Sequence, residues 1–351
     1  MSKILNDLGY YSDLDNYIQS KEQTNSIIGR VIKQGRQSYQ VKTELGNYNS
    51  KISGKLRHKA KQQSDYPVVG DWVLAKNNQE NNLIIHEILP RKTTISRKAI
   101  NRFGKKQTIA ANVDFSFVIQ DIANDFNLNR LDRLIAICFS SNVTPFIIFT
   151  KIDLIATEDI NSCINTARNR FNDIPIILLS NKTMLGLKDI VKNIQYGRTY
   201  CFIGASGAGK SSLINHLVGS NVMATKKLKE NNKGQHTTSH RELFIISNSG
   251  ILIDTPGMRE LGVTDSNKTL ESTFKIIFNL SKSCKFSNCS HVSEPKCAVV
   301  NALNNNEILK SYYDNFHKMK REQEQYKLNK RGLIDKEMVK VLKSDSKKRK
   351  A

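Results

Sequence analysis

Six apolar runs, VDFSFVIQ, TPFIIFT, IPIILLS, TYCFIG, LFIIS and ILIDTPG, recur between residues 113 and 257. The first four are separated by helix-length segments, and the last two by a short NSG turn. Apolar runs joined in this way are the pattern of parallel strands with crossover helices. The chain from Asn112 onward is therefore expected to form an open α/β sheet of about six strands. Ligands of such sheets sit at the C-terminal ends of the strands, which narrows where functional residues should be sought.

Ahead of this region lie shorter alternating segments, IIGRVIKQ, SYQVKTEL, DWVLAK and LIIHEIL, punctuated by Gly, Asn and Pro. Several short strands in so small a span predict a β-barrel of OB type. The stretch NYNSKISGKLRHKAKQQSDYP, carrying Lys55, Arg57, Lys59 and Lys61, reads as a basic loop on that barrel. Such a loop is either a nucleic-acid contact or a solvated connector. The whole chain has 54 Lys and Arg against 32 Asp and Glu, a formal charge of +22 that points to a polyanionic partner. No apolar run is long enough for a membrane helix, and the start MSKILNDLGYYSDLDNYIQ lacks the basic and apolar regions of a signal peptide. The expectation is a cytoplasmic protein without a membrane partner, its six cysteines reduced or bound to metal.

The stretch from Gly204 through Ala205, Ser206, Gly207, Ala208 and Gly209 to Lys210 and Ser211 fits G-x-x-x-x-G-K-[ST]. It lies between the run TYCFI and the helical pattern SSLINHLV, the context this phosphate-binding motif requires. Glycines let the backbone turn its N–H groups toward phosphate, and the following helix adds its positive end. Lys210 is expected at the β- and γ-phosphates, Ser211 on Mg²⁺, and Ser212 beside them. Asp254, ending the run ILID, is placed to hold Mg²⁺ directly or through water. Gly257 of DTPG would offer its N–H to the γ-phosphate. In NNKGQHTTSH, Thr237 or Thr238 could complete the Mg²⁺ shell, with Thr238 preferred.

Thr150-Lys151-Ile152-Asp153 ends the run TPFIIF and is similar to the Asn-Lys-x-Asp guanine motif, with Thr at its first position. An Asp153 carboxylate can accept from guanine N1–H and the exocyclic amine, whereas adenine presents an acceptor at N1. Lys151 would lay its methylene stem along the base. Ser180, in Ser180-Asn181-Lys182, falls where a loop would support the guanine carbonyl. The base-reading half thus precedes the phosphate-reading half. This order is a circular permutation, which closely spaced termini permit.

Cys284, Cys289, His291 and Cys297 form C-x4-C-x-H-x5-C, a donor set suited to closed tetrahedral Zn²⁺. Cys138, Cys163 and Cys201 sit in apolar or helical surroundings and read as core residues.

The permuted order, a barrel before it and a cysteine cluster behind it together resemble the RsgA/YjeQ family of circularly permuted, ribosome-associated GTPases. The likeness runs from about Ile27 to Tyr313 and takes in PRKTTISRKA, ANVDFSFVI and NLNRLDRLI. It implies a circularly permuted P-loop GTPase domain flanked by an N-terminal OB-type β-barrel and a C-terminal helical zinc-binding domain. The expected division is an extension over 1–24, the barrel over 25–97, the GTPase domain over 98–270, and the zinc-binding helical domain with its basic tail over 271–351.

The resemblance further implies a GTP hydrolase with Mg²⁺ and one structural Zn²⁺, acting in late maturation of the small ribosomal subunit. Its partners would be that subunit and its rRNA, with hydrolysis stimulated by the subunit and release following it. After DTPG the chain has Met258, which cannot orient a water as Gln does, and slow unaided turnover follows. His236 is the candidate for that task, in a segment resembling the family's Gly-x-His-Thr-Thr element with Gln235 at the variable position. An ATP-driven nucleic-acid enzyme and a non-enzymatic RNA-binding module using nucleotide as a conformational ligand are the competing readings. A self-contained site on one chain makes a monomer the default.

Overall fold

The computed structural model describes residues 2–20, 26–35, 38–78, 82–98, 106–219, 241–246, 250–255 and 267–328. Two short helices, α1 (Lys3–Asp7) and α2 (Asp13–Gln19), open the chain, the first capped by the Ser2 hydroxyl accepting from the Leu5 N–H. Five strands follow: β1 (Ile27–Gln34), β2 (Tyr39–Thr43), β3 (Gly46–Ile52), β4 (Trp72–Asn78) and β5 (Asn82–Ile88). Their order β1-β2-β3-β5-β4, with β4 returning to β1, closes a barrel. Val31, Val41, Val73, Leu83 and Ile85 fill its interior.

The expected basic loop proves to be partly regular. Its first residues form β3, in which Asn47, Asn49 and Lys51 are exposed while Ser50 is buried and Tyr48 and Ile52 pack against the barrel core, a period-2 alternation. Lys55, Arg57 and Lys59 then lie on helix α3 (Gly54–Lys59), whose start is fixed by the Leu56 N–H donating to Ser53 Oγ at 3.1 Å.

Leu5, Leu8 and Leu14 of the first two helices pack with Trp72, Leu74 and Leu89 on the outside of the barrel. Beside them Arg30 of β1 is buried at 1% exposure. Its guanidinium donates to the carbonyls of Leu8 (2.5 Å), Gly70 (3.1 Å) and Asn112 (3.1 Å), and to Thr199 Oγ1 (2.9 Å). Burial lowers its pKa to about 10.

A two-stranded ribbon, β6 (Thr94–Lys98) and β7 (Lys106–Ala111), leads into the second region. There β8 (Phe115–Asp121), helix α4 (Leu128–Ser140), β9 (Thr144–Thr150), helix α5 (Thr157–Arg168), β10 (Ile176–Leu179) and helix α6 (Leu187–Lys192) alternate. They continue as β11 (Thr199–Gly204), helix α7 (Lys210–Val218), β12 (Arg241–Ile245) and β13 (Ile251–Asp254). Strands β10-β9-β8-β11-β13 are parallel and β12 is antiparallel to β13, so the six expected strands are present. Leu131, Ile135 and Ala167 cover one face, and Ile190, Leu213 and Ile214 cover the other.

The sheet does not stop at β12. Lys33 and Gln34 of β1 pair with Glu242 and Arg241 of β12, reinforced by a Lys33–Glu242 ion pair at 3.3 Å. Barrel and α/β sheet are one eleven-stranded system.

Helices α8 (Asn267–Thr273), α9 (Lys275–Ser281) and α10 (Ala298–Asn304), with helical backbone over 310–328, form the C-terminal region around Phe274, Ile277, Val299, Phe316 and Met319. It docks on α4 and on Arg170, just past α5, through buried and half-buried polar groups. Asp132 accepts from Asn315 (2.7 Å) and Arg170 (3.1 Å), Arg170 also donates to Ser311 Oγ (2.8 Å), and Arg133 makes a two-pronged pair with Glu322 (2.7 and 2.8 Å). Burial pushes the Asp132 carboxyl up to about 6 despite Arg170, and lowers Arg170 as well. Desolvation therefore outweighs the pair on both sides. Because the folded value lies above the unfolded one, this group's stabilising contribution is full below about pH 4 and is lost as pH rises through about 6. Chemical denaturation should show wild type gaining on Asp132→Asn by about 2 kcal/mol between pH 7.5 and pH 4.5. A difference independent of pH would refute this account of Asp132.

Candidate functional site

The strand ends β8, β9, β10, β11 and β13 converge on one rim, as an open parallel sheet requires. The loop from Gly204 to Gly209 leaves β11 there and passes into α7 at Lys210, with Ser211 and Ser212 on its first turn. Gly204 has φ 155° and a side chain there would stand 2.3 Å from the Ile119 carbonyl oxygen, so the motif's first glycine is needed for contact with β8. At Gly209, φ is 93° and a Cβ would lie 2.6 Å from the Asn181 amide nitrogen. Lys210 folds back over the loop, its Nζ donating to the carbonyls of Gly204 (2.9 Å) and Ala205 (2.5 Å).

Asp254 ends β13, buried at 4% exposure, and the neighbouring Thr255 hydroxyl donates to the Phe202 carbonyl at 2.5 Å. Burial pushes the Asp254 carboxyl up to about 6, with the Lys210 ammonium pulling the other way. A divalent cation would favour the ionised form of such a carboxylate.

The segment expected to read the base is tied to the 204–209 loop by direct bonds. Thr150, fully buried, donates through Oγ1 to the Ala208 carbonyl at 2.9 Å, with the Gln120 carbonyl at 3.3 Å. Asn181 donates to the Gly209 carbonyl at 3.1 Å. Asp153 lies on a short 3-10 turn over Ile152–Leu154, where the Ser180 hydroxyl donates to it at 2.6 Å. Ser180 Oγ in turn accepts from the N–H groups of Lys182 (3.2 Å) and Thr183 (3.1 Å). Lys151, in the left-handed region at φ 62°, sets its ammonium 2.6 Å from Asp121.

Asp121 and Asn181 have structural roles here that motif spacing did not single out. Asp121 was open to the same argument that found Asp254, a carboxylate at the C-terminal end of a parallel strand. His236, Thr237, Thr238, Gly257 and Met258 lie outside the described residues.

A cavity of about 690 Å³ opens at Gly204, Ala205 and Ser206. Its other walls come from the start of α4, including Asn129 and Arg130, and from the C-terminal helical segment, including Asn315 and Lys318.

In that same C-terminal region the donor atoms of Cys284, Cys289, His291 and Cys297 lie within 4.8 Å of one another, an arrangement that could hold a metal ion. Cys284 Sγ is 3.8 Å from Cys297 Sγ and 3.6 Å from His291 Nδ1, and Cys297 Sγ is 3.5 Å from the same nitrogen. Cys297 also caps α10. Cys138 and Cys201 are buried in the α/β core and Cys163 packs against it, in line with the expectation for all three.

The family model described as RsgA GTPase matches residues 88–264, half of the chain. The chain belongs to the RsgA GTPase family. A second model, described as 50S ribosome-binding GTPase, matches residues 199–331. Among relatives, a protein of Lactiplantibacillus plantarum named small ribosomal subunit biogenesis GTPase RsgA 2 is 36% identical over 89% of this chain and 88% of its own. One of Oceanobacillus iheyensis with the same function in its name is 37% identical over 84% and 85%. Two solved structures are similar to this fold: YjeQ from Thermotoga maritima (TM-score 0.64, 25% identity, 85% of this chain and 98% of that one) and YloQ, described as a circularly permuted GTPase (0.62, 27%, 87% and 97%). The permuted RsgA architecture, with barrel, GTPase sheet and Cys3His cluster, is thereby established, and GTP hydrolysis is the reaction. The ATP-driven and non-enzymatic readings fall away.

The Ser180–Asp153 contact gives the site its sharpest prediction. Ser180→Ala removes the donor that orients Asp153, the carboxylate expected to read the base, and should weaken GDP binding about tenfold in an equilibrium titration, the loss typical of one hydrogen bond to a charged group. Unchanged affinity would mean that Asp153 is positioned by other groups.

Proposed function

We propose that this RsgA-family GTPase acts in maturation of the small ribosomal subunit, binding rRNA and using GTP hydrolysis to time its release. The observation that carries the reading is the name shared by relatives aligned over most of the chain, small ribosomal subunit biogenesis GTPase. Those relatives outweigh the 50S description, whose model covers only the part from the phosphate loop onward. The charge of +22 supports an RNA partner through counterion release. Lys55 and Lys59, exposed on α3, are suited to phosphate contact. The barrel over 25–97, the GTPase domain over 98–270 and the region from 271 onward serve as three cooperating units.

In the nucleotide site, Thr150 and Asn181 hold the base-reading segment to the phosphate loop while Asp153, oriented by Ser180, reads guanine. The loop from Gly204 to Gly209 cradles phosphate, and Lys210 neutralises charge at the β- and γ-phosphates. Ser211 and Asp254 would hold Mg²⁺, which supplies charge stabilisation for phosphoryl transfer when bound. Thr238, Gly257 and His236 are assigned from the sequence motifs, His236 as the group that orients the attacking water. The working unit is a cytoplasmic monomer; no described helix is long and apolar enough to cross a membrane.

Zinc is the metal proposed for the cluster. Bonds of 2.3 Å to sulfur and about 2.1 Å to nitrogen in a tetrahedron imply separations of about 3.8 Å between sulfurs and about 3.6 Å from sulfur to nitrogen. The 3.8 Å Cys284–Cys297 separation and the 3.5–3.6 Å contacts to His291 meet both values. Elemental analysis of purified protein should find about one zinc per chain, falling by at least half in Cys289→Ser. Iron in place of zinc, or no metal, would reject the assignment.

The functional test is phosphate release from GTP and from ATP, with and without purified small subunits. GTP-selective turnover that rises with small subunits and falls at higher salt is expected. Equal use of ATP, or stimulation by large subunits alone, would overturn the reading.

A further inference from the structure

We propose that Lys318, on the C-terminal helical segment, binds the terminal phosphate of GTP, so that the region bearing the metal cluster helps to tell GTP from GDP. The inference rests on the nucleotide-site reading above and deepens it.

Ser311, Asn315, Lys318 and Glu322 recur at helical spacing on one stripe of residues 310–328. Three of the four are committed to the GTPase region: Ser311 to Arg170, Asn315 to Asp132, and Glu322 to Arg133. These contacts fix both the rotation and the distance of the helix. Lys318 stands between them, exposed, and no hydrogen bond or ion pair engages it among the described residues. The neighbouring cations behave differently, because Arg130 is paired with Asp125 and Arg133 with Glu322. A helix pinned above and below thus holds out one uncommitted ammonium.

The cavity beside Lys318 is shared with Gly204, Ala205 and Ser206 of the phosphate loop. Lys210 marks which end of a nucleotide lies there, since its Nζ rests on the carbonyls of Gly204 and Ala205. The lysine of this motif serves the β- and γ-phosphates. The cavity therefore opens at the terminal-phosphate end of the site, not at the base. A cation there favours the nucleotide carrying the additional phosphate, and it does so from outside the phosphate loop.

The test is equilibrium titration of the full chain, with Mg²⁺ present, using fluorescent GDP and a fluorescent non-hydrolysable GTP analogue. Lys318→Ala should weaken the GTP analogue about tenfold, with GDP unchanged within about twofold. Lys318→Arg should bind both like wild type, and Lys318→Glu should bind the GTP analogue more weakly than Lys318→Ala does. Unchanged GDP affinity also certifies that the variants are folded. Equal loss of GDP and GTP, or wild-type affinity for the GTP analogue in Lys318→Glu, would overturn the proposal. Wild-type protein that failed to prefer guanine over adenine nucleotides would instead overturn the underlying site reading.

Discussion

Arg30 is a full positive charge withdrawn from water at the point where four parts of the chain meet. Its partners come from the first helix turn at Leu8, the barrel at Gly70, the connector at Asn112 and the start of β11 at Thr199. All are neutral oxygens, so the guanidinium is satisfied by geometry more than by countercharge. Loss of any one partner would leave a buried donor unmet, which is costly enough to hold the four segments in one arrangement. The strand that enters at Thr199 leaves as the phosphate loop at Gly204. Barrel and nucleotide site are thus rigidly referenced to each other, and the β1–β12 pairing adds a second connection on the other side of β13.

The site is held together by bonds between segments distant in sequence, which explains why chain order can be permuted without disturbing it. Thr150 reaches Ala208, Asn181 reaches Gly209, and Ser180 reaches Asp153. None of these contacts depends on which segment is translated first. The threonine in place of the guanine motif's asparagine is placed to serve this purpose, since its buried hydroxyl faces the loop carbonyl.

What could be read from the sequence follows from what each feature asks of local residues. The six α/β strands were legible because strands buried on both faces must be continuously apolar. The phosphate loop and the cysteine cluster were legible because their chemistry fixes spacing. Strand β3 was not, since Asn47, Asn49 and Lys51 face solvent and Ser50 interrupts its inward positions, leaving only Tyr48 and Ile52 as apolar signal. The β6–β7 ribbon and the two opening helices were missed for a related reason: they are short and gain their stability from tertiary packing, the helices against Trp72 and the ribbon through Ile95, Ile109 and Ala110 in the α/β core. Arg30 and the Asp132–Arg170–Asn315 cluster depend on residues far apart in the chain, and nothing in local composition marks them.

The joining of barrel and GTPase sheet also bears on solubility. A sheet edge is a row of unpaired backbone groups that invites pairing with another chain. Here the eleven strands end at β10 on one side, while on the other they run into a barrel that closes on itself through β1 and β4. One terminal strand of this sheet therefore remains among the described residues, and it is four residues long. By feeding its open sheet into a closed one, the molecule removes an edge that a free-standing GTPase sheet would have to guard by other means.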